Sequence, residues 1–61
     1  MANISSKELT SIEDQLSMEQ LLVKKYTSFA NTTGDRQIKE KCQQIATQHQ
    51  QHFNTLMTYL K

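Results

Sequence analysis

The chain has no proline, no tryptophan, one glycine, one cysteine and a formal net charge of only +1 over 61 residues. Each shortage excludes something. A lone cysteine cannot close an intramolecular disulfide, which removes the stapled secreted scaffolds. Seven Lys and Arg against six Asp and Glu leave no electrostatic footprint for a phosphate backbone, so nucleic acid is not an expected partner. The longest apolar run, Leu21-Leu22-Val23, falls far short of the roughly 20 residues needed to span a bilayer, so no membrane partner is expected either. Met1-Ala2-Asn3-Ile4-Ser5-Ser6 lacks the basic region and apolar stretch of a signal peptide. A cytoplasmic location is therefore expected, without secretion by a signal peptide. No activated serine, glycine-rich phosphate loop or cysteine pair is present, and a non-enzymatic role is the expectation. Finally, a 60-residue chain buries only about 60% of the surface exposed by its unfolded form, so a single domain of this size is marginal without a partner.

With the usual breakers missing, long helices are expected. Ser5 stands three residues before Glu8 in a capping-box arrangement, and Ile4 and Leu9 fall at the positions of a hydrophobic staple. Leu9, Ile12, Leu16, Glu19, Val23, Tyr26 and Ala30 then advance in alternating steps of three and four, the seam of a packed helix pair, with Met18, Leu22 and Phe29 widening the stripe. Asn31-Thr32-Thr33-Gly34-Asp35 is the one cluster of turn residues; Asn and Gly suit a left-handed helix stop, and Asp35 suits an N-cap. The spacing resumes at Ile38, Cys42, Ile45, His49, His52, Leu56 and Tyr59, flanked by Ala46, Phe53 and Leu60. The reading is an all-α single domain over residues 1–61, with a helix over about 5–31, a turn over about 32–35 and a helix over about 36–60. So short a connection makes the helices antiparallel neighbours. A two-helix hairpin leaves an apolar groove uncovered, and a second copy closes it most simply. A homodimeric four-helix bundle, or a higher homo-oligomer, is expected.

Glu19, His49 and His52 interrupt the apolar seam. Glu19 lies eleven residues before Ala30, and His49 lies eleven after Ile38. At 1.5 Å per residue both sit about 16–17 Å from the turn, with His52 about 4.5 Å further on. The three side chains are expected at one level, and a dimer would then hold two carboxylates and four imidazoles there. A buried carboxylate is costly unless it is paired, hydrogen-bonded or coordinated. Two arrangements answer that cost: a divalent metal ion, zinc or iron, held by Glu19, His49 and His52, or a metal-free Glu–His layer that fixes register. Imidazole in place of a bridging carboxylate favours zinc over di-iron chemistry. Cys42 lies about 10 Å from this level and reads as a small buried hydrophobe. Tyr26 reads as a core tyrosine or as a group backing the site.

The runs Glu13-Asp14-Gln15-Leu16, Glu19-Gln20-Leu21-Leu22-Val23-Lys24-Lys25-Tyr26 and His49-Gln50-Gln51-His52-Phe53-Asn54-Thr55-Leu56-Met57 resemble small helical-hairpin proteins of spore-forming Firmicutes described as spore coat, or Coat F-like, proteins. These are similar to half of a ferritin-like bundle, and the resemblance spans about residues 7–60. Glu19 precedes Tyr26 by seven residues, as a metal-binding Glu precedes a Tyr in ferritins, and His52 precedes Leu56-Met57 as the His of a ferritin Glu-x-x-His does. His49 departs from that pattern, and only two helices are supplied. The resemblance implies a structural, self-assembling protein of sporulation, in the mother cell or the spore coat, with other coat proteins as partners. The alternative is a ferritin-like metal-binding protein whose Glu/His site lies between subunits.

Overall fold

The computed structural model describes residues 4–60. The signal-peptide reading falls partly on residues 1–3, which lie outside the described residues, as does residue 61. Two helices, α1 (Ser6–Thr32) and α2 (Arg36–Met57), are followed by a short 3-10 turn over Thr58–Leu60, and the described residues contain no strand. The helices pack along each other as a hairpin with extents of 47 × 15 × 11 Å. Among the described residues, no helix is long and apolar enough to cross a membrane.

Local chemistry sets each boundary. The Ser5 side chain accepts from the Glu8 amide (3.1 Å), and the Glu8 carboxylate accepts from the Ser5 amide (3.0 Å), which completes the capping box. Leu9, expected in the staple and the seam, stays exposed. At the turn the expected left-handed stop is absent. No described residue has positive φ, and α1 ends because Thr33 turns extended (φ −72°, ψ 141°) while its amide still reaches the Phe29 carbonyl. The Thr33 hydroxyl accepts from the Asp35 amide (3.2 Å), and Asp35 Oδ1 in turn accepts from the amides of Gln37 and Ile38 at 2.8 and 3.0 Å. Side-chain oxygens therefore do the work that a left-handed glycine would otherwise do.

The interior is narrow. Its buried apolar residues are Leu16, Ala30, Cys42 and Ala46, and no large side chain is fully buried. On α1 the expected line holds from Ile12 onward, with Ile12, Val23 and Tyr26 half-buried around Leu16, Glu19 and Ala30. On α2 the inward line is Cys42, Ala46, His49, Phe53 and Leu56, with Ile45 half-buried beside it, and Phe53 takes the place expected of His52. The cause is a rotation of α2 about its axis. Small Cys42 and Ala46 then face α1 and allow close approach, while bulkier Ile38, His52 and Tyr59 swing to the flank.

Loss of the α2 cap is expected to matter more than loss of the turn glycine. Asp35→Ala should cost about 1 kcal/mol. Gly34→Ala meets no atom within 4 Å and no positive φ, so it should be neutral or stabilise by about 0.4–1 kcal/mol. Urea unfolding of both variants at one fixed protein concentration checks the order.

Candidate metal centre

Glu19 lies 13 residues from each end of α1, halfway along the hairpin. It is the one charged residue buried among the described residues, at 6% exposure. Both carboxylate oxygens are partnered. Oε1 accepts from His49 Nδ1 at 2.6 Å across the helix interface, and Oε2 accepts from Gln15 Nε2 at 2.9 Å along α1. That satisfies the requirement that a buried carboxylate be hydrogen-bonded, and no described buried side-chain nitrogen or oxygen lacks a partner.

His52, one turn beyond His49, directs its own Nδ1 to the same Oε1 at 3.6 Å, too long for a hydrogen bond. The two imidazoles meet edge to face, with centroids 5.4 Å apart and planes at 87°. On the other side of His49 the Tyr26 ring lies nearly parallel, at 6.4 Å and 14°. His49 is thus held between two rings, with its side chain 23% exposed, whereas His52 stays 60% exposed. One ligand atom from each of Glu19, His49 and His52 falls within 4.8 Å of the others.

All three residues singled out in the sequence therefore converge, and they do so within one chain. The level expected from counting residues on either side of the turn is the level observed. Tyr26 stands behind His49, and Cys42 is buried as a free thiol on the seam. Gln15 was not picked out from the sequence. Its spacing of four residues before Glu19 is the signal, since side chains at that interval meet on a helix surface.

The hydrogen bond from His49 is the main reason the Glu19 carboxyl lies below the ordinary glutamate value of 4.5; burial opposes the shift, while Gln15 and the fields of the two imidazoles add to it. A lowered value in the folded state means the native protein holds the charged form more firmly than the unfolded chain does. The resulting stability is fully present above the ordinary value and disappears as pH falls through the lowered one. In EDTA, the gap in thermal midpoint between the native chain and Glu19→Gln should therefore shrink as pH drops below about 4.5, as circular dichroism would show.

Comparison of the chain with known protein families, with characterised proteins and with solved structures gives no match.

Proposed function

We propose that the protein is a non-enzymatic structural module whose hairpin pairs with a second copy of itself to form a four-helix bundle. The surface it leaves uncovered carries this reading. A compact monomer of 7.1 kDa would expose roughly 4,100 Å², whereas this chain exposes 4895 Å². The excess, about 800 Å², is one partner's share of a standard protein interface. The radius of gyration agrees: it is 14.4 Å, against about 10.5 Å for a compact domain of this length.

Leu9, Leu21 and Met57 are exposed elsewhere on the hairpin, but several of the uncovered apolar residues share one face. Each residue turns a helix by about 100°, which puts exposed Met18 and Phe29, with half-buried Leu22, to one side of the inward line of α1, and exposed Ile38 and Tyr59, with half-buried Ile45, to the corresponding side on α2. Because the helices run in opposite directions, equal displacements emerge on the same face of the hairpin. On the reverse face Gln20, Lys24 and Gln50, with Val23, line the groove between the helices. An apolar face running along an elongated hairpin suits a closed twofold pair, in which each copy covers the other. Since Glu19 is midway along α1, a copy laid along the whole face in either direction brings its own Glu/His cluster to the same level.

A building-block role in a spore coat, with other coat proteins as neighbours, is supported by the resemblance of the Glu19–Tyr26 and His49–Met57 runs to Coat F-like proteins. The reading of the chain as a metal-binding protein is favoured by a separate observation, the convergence of Glu19, His49 and His52.

Sedimentation equilibrium tests the pairing. The native chain should sediment at a multiple of 7.1 kDa. Charges placed on the uncovered face by Phe29→Glu with Ile38→Glu, at residues 52% and 44% exposed within the hairpin, should shift the mass to that of one chain. A native chain that sediments as a monomer at high concentration would overturn the proposal.

A further inference from the structure

We infer that Glu19, His49 and His52 of a single hairpin form a mononuclear site for a divalent transition-metal ion of the zinc class. The arrangement has one more donor than a hydrogen-bonded layer requires. Glu19 is satisfied by His49 on one oxygen and Gln15 on the other, yet His52 also turns Nδ1 toward the oxygen already taken. Two imidazole nitrogens aimed at one carboxylate oxygen, all three ligand atoms within 4.8 Å, enclose a point that a cation can occupy in place of the His49 proton.

The donor set selects the ion. Two nitrogens and one carboxylate oxygen are a borderline set, suited to zinc and its neighbours and unsuited to calcium or magnesium, which prefer all-oxygen shells. Three protein ligands leave at least one position open, and the open side is the one on which His52 remains 60% exposed. Metal sites also need their ligands held from behind. Gln15 restrains the carboxylate, and the Tyr26 ring packed parallel to His49 restrains the imidazole. No second carboxylate bridges from α2, so a single ion is the expected occupancy of each chain.

The site is complete within one hairpin and does not rest on the pairing proposed above. That separation makes it testable. Chain purified without an affinity tag and stripped with EDTA should take up one Zn²⁺ per chain in isothermal titration. It should also give a visible Co²⁺ absorption that Zn²⁺ displaces, and its thermal midpoint should rise with added Zn²⁺. His52→Ala alters an exposed residue and should keep the apo helicity while weakening Zn²⁺ binding more than tenfold. Glu19→Gln should weaken it at least as much, and Gln15→Ala about tenfold, through loss of the carboxylate's support. Cys42→Ser and the monomerising Phe29→Glu/Ile38→Glu variant should bind as the native chain does. Absence of Zn²⁺ uptake by the native chain, or uptake unchanged in both Glu19→Gln and His52→Ala, would overturn the assignment. Loss of binding only on monomerisation would equally overturn a site built from one chain.

Discussion

A single charged group in the middle of a thin apolar seam constrains the whole molecule. Glu19 is too deeply buried to be solvated by water and too polar to be left alone, so the two helices must register against each other with His49 opposite it. Sliding α2 by one turn would keep much of the apolar packing, since the seam repeats, but would strand the carboxylate. The hydrogen bond between Glu19 and His49 thus does for this hairpin what a single buried polar residue does for a coiled coil: it selects one alignment among several of similar hydrophobic merit.

The same layer ties stability to chemistry. Small residues toward the turn, Ala30, Cys42 and Ala46, are buried between the helices, and the carboxylate meets the imidazole at 2.6 Å across the same interface. The close packing that makes room for the polar layer also limits how much apolar surface two helices can bury. Part of what they leave exposed, Met18, Phe29, Ile38 and Tyr59, lies on the face that also carries His52. The proposed pairing surface and the proposed metal site therefore border one another on that face.

Much of this was legible in the residues. The Ser5 capping box, the turn at Thr33–Asp35 and the seven-residue rhythm of α1 all follow from local chemistry, which acts over three or four residues and needs no partner. The Glu19–His49–His52 convergence was legible too, because antiparallel helices joined by a short turn pair residues at equal distances from it. Other features were not. Glycine at position 34 suggested a left-handed stop, but the Thr33 hydroxyl and the Asp35 carboxylate satisfied the backbone instead. Ile45 and His52 looked central on α2 because periodicity alone does not fix which of two adjacent residues faces inward. The smaller Ala46 won the inward position, and with it Phe53 displaced His52 to the flank.

The sequence alone determined the two helices, their N-terminal caps and the level of the acid and the imidazoles, since these depend on rise per residue, capping and the reach of a short turn. Tertiary structure decided how far α2 is rolled about its axis. That roll set which imidazole is enclosed and which stays open, and put His49 against the Tyr26 ring. Roll is governed by the volumes of side chains meeting across the interface, a property of both helices at once that no single stretch of sequence contains.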